Sequence, residues 1–211
     1  MGQRDLSSKS LLKLIEHFED DNFIYLVYPW SAHCDVGTYL KQFSVPYLTE
    51  RELQSPMKQL IKGINDLHKI GLLHNDIQLD HILLARRKTA SKKYDQVKLC
   101  SYSQACPVNQ AAEHVVRKKT LYTAPEVLKG FALSEASDIW SLGVTIYVLA
   151  MGAMPFSSPT QAKTTAPSWS SKVRSTDLQP ELKALVSQML QKDPAARPSV
   201  AEILASPFLD Q

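Results

Sequence analysis

His74-Asn75-Asp76-Ile77-Gln78-Leu79-Asp80-His81-Ile82-Leu83-Leu84 carries the densest chemistry of this chain. Leu72-Leu73 before it and Ile82-Leu83-Leu84 at its end are short apolar runs, so the polar residues between them read as a loop carried by two small strands. Further out, Gln96-Val97-Lys98-Leu99-Cys100 alternates as a short strand does. These runs are too short to be a domain core. The core has to come from helices.

Helical signals dominate after residue 49. Thr49 and Glu52 have capping-box spacing, and Met57, Leu60, Ile61, Ile64 and Leu67 recur on one helical face. Pro56 leaves two starts open. A helix beginning at Thr49 would lose a backbone bond at the proline, whereas a start at Ser55 would put Pro56 at the tolerated first position. Residues 139–151 form the longest apolar run, about two thirds of the ~20 residues a membrane crossing needs, and read as a buried core helix. Pro180 opens another amphipathic helix through Leu182, Leu185, Val186, Met189 and Leu190, and Ser199 with Glu202 opens a last one. Before residue 49, the apolar segments 11–18 and 23–30 flank Glu19-Asp20-Asp21-Asn22 and predict a β-hairpin whose second strand stops at Pro29. Residues 157–176, rich in Ser, Thr, Pro and Lys, predict an exposed, poorly ordered connection with at most a short helix. The fold class is α+β, mainly α.

The composition fits one globular domain. With 44% hydrophobic residues and 24 basic against 21 acidic side chains, the 211-residue chain is neither apolar-poor nor charged enough for disorder. Three cysteines, Cys34, Cys100 and Cys106, neither pair evenly nor match a zinc spacing. They predict idle thiols in a reducing compartment, cytoplasmic or nuclear. No apolar leader or anchor pattern is evident, so no membrane partner is expected.

Three stretches then share one explanation. The quoted loop, Tyr122-Thr123-Ala124-Pro125-Glu126, and Ser137-Asp138-Ile139-Trp140-Ser141-Leu142-Gly143-Val144 stand in order and at sensible distances. Together they resemble the catalytic loop, the end of the activation segment and the start of the central helix of eukaryotic protein kinases. Residues 23–30 then resemble the strand entering the hinge, and Lys192-Asp193-Pro194-Ala195-Ala196-Arg197-Pro198 the loop before the last helix. The resemblance covers residues 10–211. It implies a residual pair of small-lobe strands and the hinge over 1–30, and a large lobe over 31–211. It also implies four structural anchors: His74 beneath the loop, Asp138 accepting backbone hydrogen bonds from it, and Glu126 paired with Arg197.

The same resemblance identifies losses. Phosphoryl transfer needs a lysine on the phosphates, magnesium held by Asp and Asn, and an Asp that orients the substrate hydroxyl. Asp76 matches the last, and is the one candidate catalytic residue. Gln78 stands where the family has its catalytic-loop lysine, His81 where it has the magnesium Asn, and Ser101 where it has the Asp of Asp-Phe-Gly. Serine is a neutral, weak ligand for a hard dication, and imidazole suits magnesium poorly. No metal ligands are therefore assigned, and no Gly-rich phosphate cradle is present in the sequence. Lys119 replaces a threonine that in active members bonds to the catalytic Asp, and an ion pair between Lys119 and Asp76 is a possibility this raises.

The expectation is thus a protein kinase-like pseudokinase that binds proteins as a scaffold, with no cofactor. The alternative is a piece or isoform of a serine/threonine protein kinase, which would use ATP and magnesium. Tyr28-Pro29-Trp30-Ser31-Ala32-His33-Cys34-Asp35-Val36 is similar to the Tribbles group, which recruits ubiquitin ligases, although no tail of that group's kind follows the last helix. The basic loop Ala85-Arg86-Arg87-Lys88-Thr89-Ala90-Ser91-Lys92-Lys93 is first of all a solvated loop. Its functional reading is docking of an acidic partner through Arg86 and Arg87, or phosphorylation at Thr89 or Ser91. Nucleic acid is the weaker partner, because only Tyr94 offers a stacking surface there.

Overall fold

A computed structural model describes residues 8–31, 34–87, 94–114, 116, 119–170, 174 and 177–210. Helices form its body: α1 (Val36–Gln42), α2 (Glu50–Lys69), α3 (Pro125–Leu128), α4 (Glu135–Met151), α5 (Pro159–Thr164), α6 (Pro180–Met189) and α7 (Val200–Leu204). The strands are short: β1 (Glu16–Glu19), β2 (Ile24–Val27), β3 (Leu72–Leu73), β4 (Ile82–Arg87), β5 (Tyr94–Leu99) and β6 (Cys106–Pro107). They pair antiparallel as β1 with β2, β3 with β6, and β4 with β5. One continuous apolar core runs from Leu11 to Leu209. This is an α+β fold with helix predominating. Among the described residues no helix is long and apolar enough to cross a membrane.

The start of α2 resolves the two alternatives for Pro56. The helix begins at Glu50, Thr49 caps it, and the reciprocal capping box with Glu52 forms, leaving Pro56 inside. The turn ahead of the proline is fixed from outside the helix. Leu53 is fully buried, Gln54 donates to the Phe208 carbonyl at 3.2 Å, and Glu50 pairs with Arg174 at 3.2 Å. These ties outweigh one missing backbone bond, itself a cost of about 3 kcal/mol in a helix interior.

Helix α4 is buried all round, as expected of a central helix. Its polar residues return their hydrogens to nearby carbonyls: Ser141 Oγ donates to Tyr122 O at 2.9 Å, and Thr145 Oγ1 to Ser141 O at 2.8 Å. At Gly143 an added Cβ would lie 2.9 Å from Met189 Cβ, so this glycine sets how closely α6 approaches. Gly152 at φ 69° ends the helix in the left-handed conformation.

Two expectations need correction. The segment 11–18 is not one strand. Leu11 is buried and bridges Leu99 in parallel while Leu12 N–H donates to Leu99 O at 2.9 Å, and only Glu16–Glu19 pairs with β2. The apolar start of the segment is drawn to the main core, and Asp20 turns the remainder by accepting from Asn22 and Phe23 N–H. The second correction concerns the order of 157–176: its described part is mostly exposed and holds one short helix, as expected, but it is anchored. Ala162 is fully buried on α5, Trp169 tilts against Tyr147 at 5.1 Å, and buried Arg174 donates to the carbonyls of Leu48 and Ala150. A guanidinium that satisfies buried carbonyls tethers a segment whose composition is polar.

Lys192 packs its ammonium over the rings of Phe156 and Trp140, 4.1 and 4.7 Å from their centroids, and its Nζ is buried without a hydrogen-bond partner. Burial first, and the neighbouring Arg197 charge second, push its amine down from 10.5 to about 8. The unfolded chain therefore binds more protons than the folded one between those values, and stability from this residue rises with pH across that window. Urea unfolding at pH 7.5, 8.5 and 9.5 checks this: the wild type gains stability relative to Lys192→Met as pH rises, and parallel pH profiles would contradict it.

Candidate functional site

The site is built on one buried carboxylate. Asp138, in the first turn of α4, is 0% exposed and accepts three hydrogen bonds: from His74 N–H at 2.9 Å, from Asn75 N–H at 2.8 Å, and from His68 Nε2 at 2.9 Å. It ties α2, α4 and the loop between β3 and β4 together. Asn75 sits at φ 63°, a left-handed conformation that asparagine tolerates, and its Nδ2 donates to Gln104 O and Cys106 Sγ. The loop is thus fastened from both sides.

His74 lies beneath the loop and is 0% exposed. Its Nε2 donates to Cys100 O at 3.0 Å, so its Nδ1 is the acceptor for Asp76 N–H at 3.2 Å. Burial holds its pKa below the usual imidazole value, against the pull of the Asp138 charge, which leaves it neutral at pH 7. The Tyr102 ring meets it edge-on at 5.5 Å, and the Tyr102 hydroxyl donates to Leu99 O. A second buried polar tie closes the lower end. Arg197 donates from both terminal nitrogens to Glu126, each at 2.7 Å, and also to Ala136 O and Gln191 O.

Asp76 is half-buried and its carboxylate is taken up by its neighbours. Gln78 Nε2 donates to Oδ1 at 2.8 Å, and the His81 ring stands 3.4 Å from Oδ2 while its Nδ1 donates to the Asp76 carbonyl at 2.7 Å. Ser101 follows β5 with φ 65° and ψ 67°, a left-handed backbone that a serine adopts at some cost. Cys100 and Cys106 are buried free thiols, and burial pushes Cys100 up to about 11, which makes it inert at neutral pH.

These donors do not fit magnesium. The two positions that should hold it offer a neutral hydroxyl at Ser101 and, at His81, an imidazole whose Nδ1 is already spent on a backbone carbonyl. Among the described residues no cluster of His, Cys, Asp and Glu able to hold a metal forms around Asp76. The structure does not bring Lys119 to Asp76: Lys119 is exposed and lines a cavity with His114 and Phe131. Thr89 and Ser91 lie outside the described residues, and of Arg86 and Arg87 only the backbone, at the end of β4, is described. The sequence reading missed His68, whose place in the last turn of α2 gave no sign of a reach to Asp138. It also missed Gln78 as a clamp on Asp76, which its position two residues on could have suggested.

A buried aspartate that holds a His-x-Asp loop, with a bidentate Glu–Arg pair below it, defines the large lobe of a kinase fold. The chain belongs to the protein kinase domain family, whose model matches residues 3–209. It is 34% identical over 214 residues to serine/threonine-protein kinase PLK4 of Danio rerio, an alignment that takes in 98% of this chain and 21% of that protein. It is 31% identical over 207 residues to PLK4 of Xenopus laevis, covering 97% of this chain and 21% of the relative. The Drosophila melanogaster PLK4 is 28% identical over 207 residues, covering 97% and 26%. The chain spans about a fifth to a quarter of these relatives' lengths.

Removing one partner from the Asp138 cluster leaves buried donors facing nothing. Asp138→Ala should cost roughly 3–5 kcal/mol in urea unfolding. A cost under about 1 kcal/mol would show that the loop is held by other contacts.

Proposed function

We propose that this chain is a pseudokinase: a kinase-fold domain that acts as a protein-binding scaffold or regulator in signalling and does not transfer phosphate. The single observation that carries this reading is the donor set around Asp76. His81 and Gln78 turn inward on the aspartate, and Ser101 contributes no charge. Phosphoryl transfer relies on positioned cations to neutralise developing charge, and nothing in this set would hold one. The hydrogen bonds of Asp138 to the loop and of Arg197 to Glu126 support, by contrast, a stable fold whose surface has a role. The short similarity of residues 28–36 to the Tribbles group points to a ubiquitin-ligase adaptor as one form of such a scaffold.

A second reading has its own support. The relatives are named serine/threonine-protein kinases, and they match nearly the whole chain, which favours a kinase that uses ATP and magnesium more than it favours a scaffold. Asp76 would then orient the substrate hydroxyl. In this reading the aspartate has to be released from Gln78 and His81 before it can act.

Thermal unfolding with ATP, with and without magnesium, separates the two. A ligand at ~100 times its Kd stabilises the folded state by about 2.7 kcal/mol, a clear rise in Tm. The scaffold reading expects no magnesium-dependent rise at millimolar ATP. Magnesium-dependent phosphorylation of a generic protein substrate, abolished in Asp76→Asn, would establish the kinase reading instead.

A further inference from the structure

The hairpin of β1 and β2 is exposed along its length, with only Val27 part-buried. Its large apolar side chains face water: Ile24 is 70% exposed, Phe23 65%, Leu26 55% and Phe18 53%. The register sets Ile24 and Leu26 on one face beside Glu19 and His17, while Phe18 stacks on Tyr25 on the other, 4.9 Å between centroids. No third strand joins this sheet among the described residues. A two-stranded hairpin is marginal by itself in water, and an open apolar edge is a template for another strand. Asp20 N–H donates to Phe23 O at 3.0 Å, and that bonded pair fixes the alternation of the ladder. Phe23, Tyr25 and Val27 bond toward β1, so the N–H and C=O groups of Ile24 and Leu26 point to the open edge.

The two edges differ in charge. β1 carries Glu16, His17 and Glu19, the kind of charged side chains that blunt an edge against pairing, whereas β2 reads Ile24-Tyr25-Leu26-Val27 and carries none. We propose that β2 is an interface for a second copy of this chain, pairing antiparallel with the same strand about a twofold axis at Tyr25. Ile24 then lies opposite Leu26 of the second copy and Leu26 opposite its Ile24, so every outward N–H and C=O of these residues meets its counterpart. Phe23 faces Val27, Tyr25 faces Tyr25, and the Phe18–Tyr25 stack continues across the axis. Such self-complementarity is what a twofold interface requires. The acidic turns, Glu19 to Asp21, fall at opposite ends of the joined strands, so like charges stay apart. With no charge on β2 to select a foreign strand, the second copy is the better occupant. The contact is one strand wide, which makes the dimer a weak one. It uses neither Asp76 nor the residues around it, so it stands whichever reading of the catalytic loop holds.

Sedimentation equilibrium of the full chain, from micromolar to millimolar concentration, tests this with Ile24→Lys, Leu26→Glu and an equal mixture of the two. The wild type should pass from monomer to dimer. Each variant alone sets a charge against an apolar residue of its second copy and should dimerise at least about tenfold more weakly. The mixture should regain the wild-type association, because a heterodimer sets the introduced lysine against the introduced glutamate and keeps one Ile24–Leu26 pair. Both positions are exposed, so the variants should fold, and an unchanged Tm verifies it. A wild type that stays monomeric throughout, its β2 edge empty or filled from its own chain, would overturn the proposal. So would variants that dimerise as the wild type does, or a mixture no tighter than its components.

Discussion

Everything about the loop that holds Asp76 depends on the carboxylate of Asp138. It is out of contact with water, and a buried charge survives only if its lone pairs are filled. Two backbone N–H groups of the loop and one imidazole of α2 fill them. The dependence runs both ways: the loop cannot shift without exposing the charge to unpaired burial, and α4 cannot rotate without dropping the loop. The Glu126–Arg197 pair does the same for the far side of α4, where Arg197 also accounts for three backbone carbonyls. The core of this domain is apolar in bulk, but its register is set by these two polar clusters.

Against that constancy stands the outward face of the loop. Gln78 and His81 are part-buried and directed at Asp76. Ser101 keeps a left-handed backbone while offering only a hydroxyl. The loop is thus held in a defined path while its outward side chains, Gln78, His81 and Ser101, carry no carboxylate. That contrast is what separates the two functional readings, and it is a matter of side-chain chemistry alone.

Much of the fold was legible because helix starts are written locally. Thr49 with Glu52, Ser199 with Glu202, and Pro180 each announce a helix within four residues, and each helix begins there. The family was legible for a different reason, since three motifs in register constrain one another. What could not be read were ties between distant residues. Leu11 leaves its own hairpin for Leu99, Arg174 rescues a polar segment by reaching carbonyls of Leu48 and Ala150, and His68 finds Asp138 seventy positions on. Local composition carries no trace of such partners.

Helix α4 has one more consequence, and it concerns time rather than space. A helix buried on every side has no face that suits water, so it gains little until its neighbours cover it. Those neighbours are α2, which precedes it in the chain, and α6, which comes some thirty residues after it ends. During synthesis the central helix must therefore wait with its apolar surface uncovered until Pro180–Met189 has left the ribosome. At 5–20 residues per second that delay lasts a few seconds, the interval in which this domain is most exposed to aggregation and most in need of a chaperone.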